Sequence, residues 1–120
     1  MKYLLMIYGV EADWASESRA DRDAVVATHD VLQAELRAAG MNWLAARLAD
    51  TPTARTIAQT ADGQVVHDGP FAETKEQLGG FYLVEAPDMA AAEAWACRIP
   101  QIVGGKVEVR AIVHSPNDPA

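Results

Sequence analysis

Residues 2–8 carry two apolar rows, with Tyr3, Leu5 and Ile7 on one side and Leu4, Met6 and Tyr8 on the other. Successive strand side chains point to opposite faces, so this pattern predicts a strand covered on both sides. Residues 81–86 repeat the pattern. Between them, Val25, Leu32, Leu36 and Ala39 recur at helical spacing and predict a long helix over 18–39, ended by Gly40. Asp30, Gln33 and Arg37 fall on its solvent side. A short strand over 41–48 follows, then a loop around Pro52. The runs 55–60 and 64–68 flank Ala61-Asp62-Gly63, a hairpin signal because a type I′ turn needs positive φ at both central residues.

Gly69-Pro70 interrupts the pattern, and residues 73–78 have room for one helical turn before Gly79-Gly80. Asp88 is a good N-cap for a second helix whose inward stripe is Ala92, Trp95, Ala96 and Ile99, stopped by Pro100. Residues 106–114 alternate, with Val107, Val109, Ala111 and Val113 inward. The element order is strand, long helix, strand, hairpin, strand, helix, strand. It predicts an α+β domain over residues 1–114, with a polar tail over 115–120. Two strand–helix–strand units around one antiparallel sheet make the split βαβ, or ferredoxin-like, arrangement with an inserted hairpin. With both helices on one sheet face, a second copy of the chain is the economical cover for the other, so a homodimer is expected.

Composition narrows the function. The 120 residues carry a net charge of -7, with ten scattered Lys and Arg. Nucleic-acid affinity rests on basic residues neutralising phosphate, and an anionic membrane repels an acidic chain, so neither partner is expected. The apolar start is cut short by Glu11 and Asp13 without a small-residue cleavage site, and Cys97 is the single cysteine, so a cytoplasmic location is expected. The three histidines and one cysteine lack metal-site spacing, and no phosphate loop or nucleophile elbow appears; no metal and no cofactor are expected.

The densest chemistry lies in Asp68-Gly69-Pro70-Phe71-Ala72-Glu73-Thr74-Lys75-Glu76, just past a strand end. Glycine and proline there can aim Asp68 reproducibly, although ordinary turn chemistry accounts for the same residues. His29 shares the apolar stripe of the first helix with Val25 and Leu32. It is either a core histidine with one satisfied hydrogen bond or an acid–base group titrating near neutrality.

The stretch from Asp68 through Gln77-Leu78-Gly79-Gly80-Phe81-Tyr82-Leu83-Val84-Glu85 resembles the signature of the DGPF-domain branch of the YCII-related proteins. The opening strand and Gly104-Gly105-Lys106-Val107-Glu108-Val109-Arg110 are similar too. The resemblance covers nearly the whole chain and implies a dimeric α+β barrel. It further implies that His29 pairs with an Asp in a cleft, with Asp68 as the counterpart and Gly69, Pro70, Phe71, Glu73 and Lys75 bordering a small-molecule ligand. Arg47 resembles a family Arg and by that likeness binds an anion; a surface ion pair is the alternative. The activity implied is that of a lyase or isomerase on a small unsaturated acid. Association with an extracytoplasmic-function sigma factor, as a non-catalytic regulatory module, is the competing implication.

Overall fold

Alternating apolar strands and amphipathic helices build an α+β fold around one antiparallel sheet. The computed structural model describes residues 1–116. Four strands, β1 (Lys2–Gly9), β2 (Trp43–Arg47), β5 (Gln77–Glu85) and β6 (Lys106–Ala111), form the sheet in the order β2-β5-β1-β6, and every neighbouring pair is antiparallel. Each strand–helix–strand unit therefore has a strand of the other unit between its own two strands. A separate two-stranded ladder joins β3 (Arg55–Thr60) to β4 (Gly63–Asp68).

Helix α2 (Arg19–Ala38) starts where Ser18 accepts a hydrogen bond from the Asp21 amide at 3.0 Å, and ends before Gly40 at φ 73°. Helix α3 (Met89–Ala96) is capped by Asp88, which accepts from the Ala91 amide at 2.9 Å. The core lies between these helices and one sheet face. Tyr3, Leu5, Tyr82 and Val84 from the sheet meet Leu32 and Leu36 of α2, with Ala92, Ala96 and Ile99 closing the side. An Arg98–Glu35 ion pair links the end of α3 to α2. The opposite sheet face carries Leu4, Met6, Phe81 and Leu83, half-buried, beside the exposed Leu44.

Several expectations are corrected. A further short helix, α1 (Glu11–Ser16), precedes α2; its N-cap, Val10, has no side-chain capping bond. Residues 73–78 make no helix, because β5 already begins at Gln77 and runs through both glycines. Ala39 is exposed rather than inward. Val113 is also exposed, because β6 ends at Ala111. The hairpin forms without a type I′ turn. Gly63 alone takes positive φ there, at 112°, while Ala61 and Asp62 do not. Of the expected tail, Ser115 and Pro116 follow β6 without regular structure, and the rest lies outside the described residues.

The hairpin shares no ladder with the main sheet, and the molecule is a slab of 49 × 47 × 19 Å. Its radius of gyration, 16.5 Å, exceeds the roughly 14 Å of a compact domain of this length.

Candidate functional site

The site begins with an irregularity in β5. Ile7 pairs with Gly80 but Tyr8 pairs with Leu78, so Gly79 is an extra residue opposite β1, a β-bulge. Its carbonyl accepts the Leu48 amide at 2.8 Å. Beside the bulge, one row crosses the sheet as Arg47, Gly80, Ile7 and Val107. Strand alternation puts this row on the helix-covered face, with Ala45 and Tyr82 in the next row. Because Gly80 has no side chain, space opens above it. A Cβ there would lie 2.7 Å from the Ala46 carbonyl oxygen, so the glycine also permits the close approach of β2.

A cavity of about 390 Å³ occupies this space. Its floor is Gly80 and Tyr82, and α2 supplies Val25, His29 and Gln33 as one wall. Glu11 and Trp14 form the second wall, and the loop after α3 adds Pro100 and Ile102. Glu11 holds its wall in place: its carboxylate accepts from the Thr51 amide at 2.8 Å and the Thr51 hydroxyl at 2.9 Å. The Glu11 amide in turn donates to Gln77 Oε1 at 3.0 Å.

Within the cavity, His29 Nδ1 lies 2.7 Å from the Tyr82 hydroxyl, and Gln33 Nε2 donates to that oxygen at 3.3 Å. His29 and Gln33 are four residues apart, one turn of the same helix face. Burial lowers the His29 pKa below 6.5, with the Asp30 carboxylate acting weakly against it. Burial also raises the Tyr82 pKa above 10.0, while the Gln33 hydrogen bond opposes the rise. The pair is therefore a neutral imidazole facing a neutral phenol at pH 7.

Arg47 also lines the cavity, with its guanidinium carbon 5.7 Å from the centre of the Trp14 ring. Among the described residues no carboxylate pairs with it, although Asp30 and Asp50 also border the space.

The structure brings His29 and Arg47 to one cavity and leaves the other sequence candidates away from it. Asp68 sits at the end of β4, exposed, with its carboxylate 3.6 Å from Arg55 across the hairpin. His29 makes its bond to Tyr82, not to Asp68. Gly69 turns at φ 93° and its amide donates to the Ala54 carbonyl at 2.7 Å, which closes the hairpin base. Pro70 is half-buried beside it, whereas Phe71, Glu73 and Lys75 are exposed; none of these lines the cavity. Gly69 thus has a turn role at the hairpin base. Sequence reasoning passed over Tyr82, which reads as one more apolar-row residue, and Gln33, placed on the solvent side.

A family model for the YCII-related domain matches residues 1–115. The chain belongs to the YCII-related family. A relative, an uncharacterised protein of Rhizobium meliloti (strain 1021), is 36% identical over 89 residues, which cover 74% of this chain and 72% of that protein. Among the described residues this YCII-related chain has no cluster of His, Cys, Asp and Glu suited to a metal ion, and no helix long and apolar enough to cross a membrane.

Proposed function

We propose that this YCII-related protein is a small-molecule enzyme that moves a proton on a small unsaturated acid, as a lyase or isomerase, in the cavity beneath α2. The observation that carries the reading is the 2.7 Å contact between His29 Nδ1 and the Tyr82 hydroxyl inside a cavity that also holds a guanidinium without a carboxylate partner. A half-buried imidazole in a cleft is a characteristic acid–base group, and its burial keeps this one in the neutral form. Arg47 supplies a planar, permanently charged fork for a carboxylate, with Trp14 alongside for a flat unsaturated body. Around these lie apolar walls, the usual makeup of a small-ligand site. The acid–base partner favoured by the geometry is Tyr82 in place of Asp68.

The frame of this reading is a ferredoxin-like domain of the DGPF branch that dimerises into an α+β barrel. Two observations support it. The strand order β2-β5-β1-β6 interleaves two strand–helix–strand units, and the helix-free face presents Leu4, Met6, Phe81, Leu83 and Leu44 together. A patch of this kind marks an interaction surface, and a second copy matches it by symmetry.

The test is a panel of small unsaturated carboxylates, with binding followed by calorimetry and turnover by absorbance. Arg47→Gln weakens binding by about tenfold or more, the loss of one charge-assisted pair. His29→Asn retains binding and loses turnover. If no carboxylate in the panel binds, the reading fails; if one binds and none turns over, the protein is a ligand-binding module.

A further inference from the structure

We infer that Gln33 and Tyr82 act together as positioning residues that lock His29 in one neutral tautomer, with its proton on Nε2. This deepens the reading above, because it says what the imidazole offers a ligand.

The inference follows from counting protons at one oxygen. A phenol hydroxyl carries a single hydrogen and accepts through its remaining lone pairs. Gln33 Nε2 can only donate, and it lies 3.3 Å from the Tyr82 oxygen. The contact to His29 Nδ1, at 2.7 Å, is shorter and has the length of an O–H···N bond in which the phenol donates. With one side of the oxygen receiving the amide, the Tyr82 hydrogen is directed to Nδ1. The imidazole and phenol planes differ by 10°, which suits such a bond, since the O–H axis and the ring nitrogen lone pairs lie in their ring planes. Nδ1 is then an acceptor, and the imidazole proton resides on Nε2.

Nε2 has no partner among the described residues, so this edge is the one left for a ligand. A ligand atom meeting it must be an acceptor, such as a carbonyl or carboxylate oxygen. The resting histidine thus presents a hydrogen-bond donor to negative charge that develops on such an oxygen. The charged and titratable groups that line the cavity with it are Asp30 on its own helix, Tyr82 from β5, Tyr8 from β1, Arg47 from β2, Glu11 from α1 and Asp50 from the loop after β2. The Glu11 carboxylate is already committed to Thr51.

The tautomer is read directly by long-range ¹⁵N–¹H correlation on the ligand-free protein, above the imidazole titration range. His67 and His114, both exposed, serve as internal references. In the wild type the ratio of Nε2–H to Nδ1–H at His29 exceeds that of the references by about fivefold or more, the bias one net hydrogen bond provides. In Tyr82→Phe the ratio falls to the reference value. Gln33→Leu, which leaves the hydroxyl free to turn, reduces it part-way; should Tyr82→Phe fail to fold, this variant decides. A dominant Nδ1–H form in the wild type, or a ratio indifferent to both substitutions, overturns the inference. No ligand enters the measurement, so an absence of carboxylate binding would refute the proposed activity without touching this result.

Discussion

Arg47 lies directly across the β2–β5 ladder from Gly80, so the cavity's cation stands opposite a position with no side chain. The pairing explains why the space exists where it does. A side chain at position 80 would occupy the row that Arg47 overlooks and would press on the β2 backbone.

Gly80→Ala should therefore destabilise the fold. Its new Cβ meets a backbone oxygen at 2.7 Å, and backbone cannot swing aside as a side chain can. Overpacking of this kind costs about 1–3 kcal/mol, measurable as a lower urea midpoint. An unchanged midpoint would mean that the β2–β5 approach is looser than described.

His29 should titrate below 6.5, because burial disfavours imidazolium. A carboxylate partner would have moved it the other way, so the direction distinguishes Tyr82 from Asp68 as its neighbour. The linked effect on stability has a definite sign. Above pH 6.5 the ring is neutral in both folded and unfolded chains, and its contribution is complete. As pH falls through the lower folded value, protonation favours the unfolded chain and the contribution is lost. NMR titration should place His29 below 6.5, and Asp68→Asn should leave it unmoved. A rise above 6.5 that Asp68→Asn reverses would restore the original pairing.

Light scattering at micromolar concentration should give twice the chain mass of 12.9 kDa. Leu83→Asp, on the helix-free face, should return it to the monomer by placing an unpaired charge in an apolar interface. A wild type that stays monomeric would leave the apolar face without the proposed partner.

Asp88→Ala should cost about 1 kcal/mol, since the Ala91 amide loses its capping acceptor. Leu36→Ala, at a side chain 1% exposed between α2 and the sheet, should cost about 2–5 kcal/mol. Both are read from chemical denaturation, and equal costs would contradict the core assignment.

Much of the architecture was written in the apolar pattern. The two-sided rows of β1 and β5, the Ser18 and Gly40 ends of α2, and the Asp88 cap each have a local chemical signal, and each appears where that signal lies. α1 lacked one, being a six-residue helix with a valine at its N-cap. The Gly79-Gly80 pair misled because glycine reads as a strand breaker, whereas here a bulge carries the strand through it. For the site, His29 and Arg47 were legible as residues but not their neighbours. Tyr82 hides in an apolar run, since nothing in alternation distinguishes a hydroxyl that caps a core from one that meets an imidazole. Asp68 lies away from this cavity within one chain, and clustered charges with a Gly-Pro break look the same in sequence whether they shape a turn or a ligand site.

The β3–β4 hairpin is closed at its base by the Gly69–Ala54 hydrogen bond and shares no ladder with the main sheet. A two-stranded ribbon of this sort has little stability of its own, so its amides should exchange with solvent long before those of β5. It follows that the tip at Ala61-Asp62-Gly63 is the place where this chain would accept foreign sequence. A reporter peptide spliced there would extend the ribbon and leave the unfolding transition of the core unchanged.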